Sequence, residues 1–158
     1  MIHEETAPVK ITDGREVFLV APWQIPEYSP LVYPHIQRVL EKSNEGDYDA
    51  DFVLQRIADG AAQLWIVMDK KFTISTVIIS EIANVNMSTY MRLWLTAGEL
   101  EDYNMDVYRV IELWGLKNYG VSKVESLVRP GLAKHMVENL GFTEKQRRIV
   151  RAIPEAIH

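Results

Sequence analysis

Pro130-Gly131-Leu132-Ala133-Lys134-His135-Met136-Val137-Glu138-Asn139-Leu140-Gly141-Phe142 is the stretch on which the fold of this chain turns. Leu132, Met136 and Leu140 fall at i, i+4 and i+8, so they line one face of a helix. Pro130 and Gly131 open that helix, and Gly141 is the residue type that closes it with least steric cost in the left-handed conformation. Phe142 starts an extended segment, read as a strand or hairpin through Ile153.

Working back from there, residues 123–128 read as a buried strand, and Val107, Val110, Ile111 and Trp114 repeat at i, i+3, i+4 and i+7, marking a helix over residues 101–118 that stops at Tyr119-Gly120. Residues 64–68, 72–82 and 89–96 are rich in Val, Ile, Trp and Thr, with turns at residues 69–71 and 84–86, which predicts three antiparallel strands. Ile36, Val39 and Leu40 share a helical face, and Phe52, Val53, Arg56 and Ile57 predict a second helix that ends at Gly60. Residues 16–21 are a first strand, closed by Pro22 and followed by an irregular, proline-rich, aromatic loop over residues 24–30.

A chain of 158 residues reads as one domain, residues 1–158, large enough to bury roughly two-thirds of its unfolded surface. Zero cysteines remove disulfides, thiol catalysis and Cys-based zinc sites together. No apolar run approaches the roughly 18 residues of a membrane span, and Met1-Ile2-His3-Glu4-Glu5 carries acids where a signal peptide is basic, so a cytoplasmic protein without a membrane role is expected. A net charge of −5 argues against general nucleic-acid binding.

The order β-α-α-β-β-β-α-β-α-β, ending in the Ala133-to-Phe142 motif, resembles the GNAT superfamily of acyl-CoA-dependent N-acetyltransferases, most closely the divergent members encoded by tailed phages. The resemblance implies an α/β (α+β) three-layer fold, with a mixed central sheet of about six to seven strands flanked by about four helices. An α/β domain outside that superfamily, similar only in element order, is the competing reading.

Two features depart from the superfamily pattern. Its members carry Arg/Gln-x-x-Gly-x-Gly/Ala between the fourth strand and the next helix, where backbone N–H groups hold the coenzyme A pyrophosphate. Helix N-termini suit anions because their N–H groups are unpaired. Residues 95–104 here hold one glycine and Glu99, Glu101 and Asp102. A carboxylate about 6 Å from a phosphate opposes binding by roughly 1 to 3 kcal/mol. The same acids stabilise a helix first turn, so the protein's own carboxylates fill the anion site on this reading. If coenzyme A does bind, the resemblance assigns it to Leu95, Ala97, Gly98 and Tyr103. The second departure is Val137, which stands where the family's tyrosine protonates the departing thiolate. That proton must then come from Tyr103, Tyr108 or water, because His135 lies about 200° around the helix from Val137.

Glu81 is the candidate general base. It follows Val77 and Ile79 at strand spacing and points inward beside them, unless it is paired or solvated at the strand end. Arg92, Trp94 and Thr96 read as one face of the next strand, with Arg92 either holding a substrate carboxylate or pairing with Glu81.

No Gly-x-Ser-x-Gly elbow, P-loop or His-Glu-x-x-His occurs. Residues 47–51 imitate the opening of a calcium loop, but Phe52 takes the place of its glycine and Ala58 that of its bidentate glutamate, so Asp49 or Asp51 reads as a helix cap. The four histidines show no metal spacing. Lys145, Arg147, Arg148 and Arg151 form a basic cluster, read as a solvated face, and the aromatics of residues 23–33 either anchor a partner or fold back on the core. The expectation is a GNAT-like protein with a degenerate acyl-CoA site and no cofactor. It serves as a binding or assembly component with a protein partner or through self-association, in a phage virion or host cytoplasm. The alternative is an active N-acetyltransferase that uses acetyl-CoA on an unidentified amine.

Overall fold

The computed structural model describes residues 7–43, 47–98, 105–128, 130–146, 148–149 and 151–154. Six strands form one sheet in sequence order: β1 (Val9–Lys10), β2 (Glu16–Leu19), β3 (Gln63–Met68), β4 (Ile74–Val85), β5 (Ser88–Ala97) and β6 (Val124–Ser126). The first five are antiparallel to their neighbours and β6 runs parallel to β5. Four helices flank them: α1 (Ile25–Ser43), α2 (Ala50–Ala58), α3 (Met105–Tyr119) and α4 (Pro130–Asn139).

The sheet is buried on both faces. In β3, Trp65 and Val67 point toward α3 and α4, while Leu64 and Ile66 point toward α1 and α2, which explains an apolar run without polar alternation. Leu132, Met136 and Leu140 are all buried against the first of these faces, as their spacing predicts. Gly141 has φ 74°, and the N–H groups of Leu140 and Phe142 both donate to the Met136 carbonyl, closing α4. Asp49 caps α2 by accepting from the Phe52 N–H at 2.9 Å.

Residues 25–30 are not a loop; they are the first turns of α1. Pro26, Pro30 and Pro34 are spaced by four, and all three are exposed. Each interior proline removes the N–H that would bond the carbonyl four residues back, so the freed carbonyls of Pro26 and Pro30 lie on the solvent side. Ile25, Val32 and Ile36 hold the opposite face in the core. Tyr28 packs edge-on against Phe18 with centroids 5.7 Å apart, so this aromatic segment covers the domain's own core, while Trp23 stays 63% exposed.

The C-terminal expectation also changes. No strand or hairpin forms in the described residues of 142–154. Phe142 packs on Tyr108, but Ile149 and Ile153 are exposed. A strand persists only where a neighbouring edge completes its ladder, and β6, three residues long, offers little edge. The basic cluster therefore lies on an irregular segment, with Arg147 outside the described residues.

Candidate functional site

The site is shaped by one irregularity in β5. Ile79 pairs with Leu95 but Ser80 pairs with Leu93, so Trp94 is an extra residue in the ladder. Period-two alternation is reset there. Met91 and Leu93 face α3 and α4, whereas Leu95 and Ala97 face α1 and α2. Arg92, Trp94 and Thr96 therefore do not share a face. Trp94 packs on the α1/α2 side, while Thr96 lies opposite Ile78 and points with it to the other side.

Pairing between β5 and β6 ends at the same place. Met91, Arg92 and Leu93 pair with Val124, Glu125 and Ser126, and the Leu127 N–H donates to the Leu93 carbonyl at 3.3 Å. From Trp94 to Ala97, β5 keeps β4 on one side and leaves β6 on the other. Thr76, Thr96 and Ser126 lie opposite Val67, Ile78 and Leu93, and so face α3 and α4 around this divergence. Their hydroxyls are buried and have no hydrogen-bond partner among the described residues. A buried hydroxyl left unpaired costs about 1 to 3 kcal/mol.

Glu81 lies on the α1/α2 side with Val77 and Ile79, as its spacing predicts, and its side chain is 17% exposed. Its Oε2 accepts from Arg56 Nη2 at 2.8 Å. The Arg56 guanidinium also lies 5.8 Å from the centroid of the Trp94 ring, whose Nε1–H donates to Tyr48 Oη at 3.0 Å. Arg92 is the cross-strand neighbour of Glu81, yet it bonds Glu125 at 3.4 Å and stacks over Tyr90. Burial works against its charge, but the attraction of Glu125, Tyr90 and Glu81 together holds the guanidinium above its usual range.

The other predicted positions separate. The Leu95 and Ala97 side chains are buried in the α1/α2 core. Gly98 is required by close packing, since a Cβ there would sit 2.9 Å from Thr76 Oγ1 and 3.1 Å from the Ser75 carbonyl. Beside it, His35, Arg38, Val39 and Lys42 of α1 enclose about 20 Å³, room for a single water. Burial, then the nearby Arg38 charge, lowers the His35 pKa. Tyr103, Glu99, Glu101 and Asp102 lie outside the described residues. Val137 is 43% exposed on α4, and Tyr108 is buried in the core beneath α3. A larger open hollow of about 240 Å³ lies elsewhere, between Lys10, Ile11 and Thr12 and the α3 residues Asp106, Arg109, Val110 and Leu113. Among the described residues no three metal-ligating side chains come together, and no helix is long and apolar enough to cross a membrane.

Arg56 and Tyr48, which complete the surroundings of Glu81, were not legible as site residues. Arg56 sits one position before the α2 core residue Ile57 and looks like an ordinary charge on an amphipathic helix.

Neither a family model nor a curated protein matches the sequence. Solved structures do match. A GCN5-related N-acetyltransferase from Ralstonia eutropha JMP134 aligns at 11% identity and TM-score 0.60, covering 88% of this chain and 99% of that one. The aminoglycoside antibiotic 6'-N-acetyltransferase of Acinetobacter baumannii aligns at 15% identity and TM-score 0.60, covering 90% and 100%. An aminoglycoside acetyltransferase from an uncultured soil metagenomic sample aligns at 9% identity and TM-score 0.63, covering 89% and 97%. At such identities the likeness concerns architecture alone. With its six-stranded mixed sheet and four flanking helices, the chain has a divergent form of the GNAT fold, that of the GCN5-related N-acetyltransferases.

Proposed function

We propose that this chain is a GNAT-fold protein whose acyl-transfer machinery is degenerate, and that it acts as a non-catalytic binding or assembly component. The observation that carries this reading is the Glu81–Arg56 pair. The Glu81 carboxylate, the general-base candidate of the sequence, accepts from a guanidinium at 2.8 Å, and the same guanidinium stacks on Trp94. An approaching ammonium group would have to displace a half-buried cation that already has two partners. Val137 adds to this, having no proton for a leaving thiolate. The tailed-phage resemblance of the sequence supports a setting in a virion or its host cytoplasm.

A second reading, an acetyl-CoA-dependent N-acetyltransferase on an amine, is favoured by a different observation. β5 parts from β6 at the Trp94 bulge, where the Thr76, Thr96 and Ser126 hydroxyls are buried without partners. A polar chain entering there would find hydroxyl groups and the open side of a strand. The neighbouring structures carry acetyltransferase names, which supports the same reading.

Calorimetric titration with acetyl-CoA at physiological salt separates the two. No binding up to millimolar concentration is expected. Micromolar binding, with about 2.7 kcal/mol of added stability at a hundredfold excess over Kd, would overturn the degenerate-site reading and leave the second to be tested by transfer to an amine.

A further inference from the structure

We propose that the outward face of α3 is an interface on which two copies of this chain pair, helix against antiparallel helix, about a two-fold axis. Val107, Tyr108 and Ile111 seat α3 on the sheet. On the other side Met105, Leu113 and Leu116 are 42%, 46% and 56% exposed. At 3.6 residues per turn the three fall within about 80° of one another, so they form one apolar stripe along the helix and not scattered surface residues. Leu113 also lines the open hollow of about 240 Å³ beside the stripe, whose apolar walls are Ile11 and Val110. A leucine side chain from outside would be seated there.

The charges of this face select a second copy as the occupant. From N- to C-terminus, Asp106, Arg109, Glu112 and Lys117 alternate in sign. Such a series is complementary to itself when reversed, and an antiparallel two-fold partner presents it reversed. With 1.5 Å of rise per residue and the axis level with Ile111, each position faces its match to within one residue. Arg109 stands beside Glu112 and Leu113 of the second copy, Asp106 beside its Lys117, and Met105 beside its Leu116. Leu113 of each copy then reaches the hollow of the other. Arg109 and Glu112 already bond within a copy at 3.4 Å, so the four charges close a ring around the axis. A parallel pairing would instead set Arg109 against Arg109. Lys10, at the rim of the hollow, adds a third cation, so the net charge of −5 is carried by other surfaces and does not repel the copies here. The apolar stripe supplies the affinity and the charges fix the direction. The arrangement does not depend on whether acetyl-CoA binds.

The test is sedimentation equilibrium of the full chain and four samples derived from it, each at about 50 μM: L113E/L116E, R109E, E112R, and an equimolar mixture of the last two. Both leucines are exposed in the single copy, so L113E/L116E retains its fold. The expected mass is twice 18.2 kDa for the full chain and 18.2 kDa for L113E/L116E. R109E and E112R each set like charges across the axis and should each weaken association by about tenfold or more. Their mixture should recover it, because each variant supplies the sign that the other lacks. The bond between Arg109 and Glu112 within a copy cannot explain that recovery, since both variants have lost it. A mass of 18.2 kDa for the full chain would overturn the proposal. A dimer that survives L113E/L116E, or a mixture that associates no better than either variant alone, would overturn it equally.

Discussion

Glu81 and Arg92 are direct cross-strand partners in β4 and β5, yet neither bonds the other: Glu81 is bonded by Arg56 from α2, and Arg92 bonds Glu125 from β6. The four charges form two pairs that tie the centre of the sheet outward in opposite directions. On this arrangement Glu81→Gln should lower stability by about 1 kcal/mol, as expected for a partly exposed pair, and leave any acetyl transfer to a test amine unchanged. A hundredfold fall in a measurable transfer rate would make Glu81 a base after all.

Trp94 is the bulged residue of β5 and packs on the α1/α2 side. Trp94→Ala should cost about 3 kcal/mol in urea unfolding, for lost packing and the lost bond to Tyr48. Deleting Trp94 should cost little more, because it removes the bulge and leaves Leu95 directly after Leu93, with Leu95 and Ala97 still facing α1 and α2. A deletion variant that fails to fold would show that β5 needs the bulge itself, and not only the pairs on either side of it.

Two glycines should respond with opposite sign. Gly98→Ala brings a Cβ against Thr76 Oγ1 and the Ser75 carbonyl, and should cost about 1 to 3 kcal/mol. Gly131, in the first turn of α4, meets nothing within 4 Å, so Gly131→Ala should stabilise by up to about 1 kcal/mol. Thermal unfolding of the two variants side by side reads the difference.

His35 predicts a pH dependence. Its folded pKa lies below the ordinary 6.5, through burial and then Arg38, so between the two values the unfolded chain binds the extra proton. Stability from this group is complete above pH 6.5 and falls as the pH drops through 6.5 toward the depressed value. His35→Gln should flatten the stability profile over that window. An unchanged profile would mean that other groups carry the acid sensitivity.

The elements legible in the sequence were those whose pattern and packing agree. The α4 face of Leu132, Met136 and Leu140, the α3 face and the buried strands β3 to β5 follow from periodicity, because local preference and burial select the same conformation there. Three features escaped. The first turns of α1 contain residues that locally oppose a helix, and tertiary burial of Ile25, Val32 and Ile36 overrides them. The Trp94 bulge leaves no compositional mark, since an extra residue in a ladder is defined only by its partner strand. The tail reads as a strand because its residues favour one, but pairing needs an edge that local sequence does not supply. For the site, the inward placement of Glu81 was legible from alternation, whereas its partner Arg56, 25 residues away, was not.

The proline spacing in α1 has a consequence for the order of events in folding. A helix that lacks the N–H groups of Pro30 and Pro34 is poorly nucleated by local interactions. It waits for the surface formed by Phe18, Leu64, Ile66 and Val77. Substitutions at Ile25 and Val32 should therefore speed unfolding and leave the refolding rate almost untouched, while α3, whose sequence favours a helix without help, is positioned to be structured at the barrier.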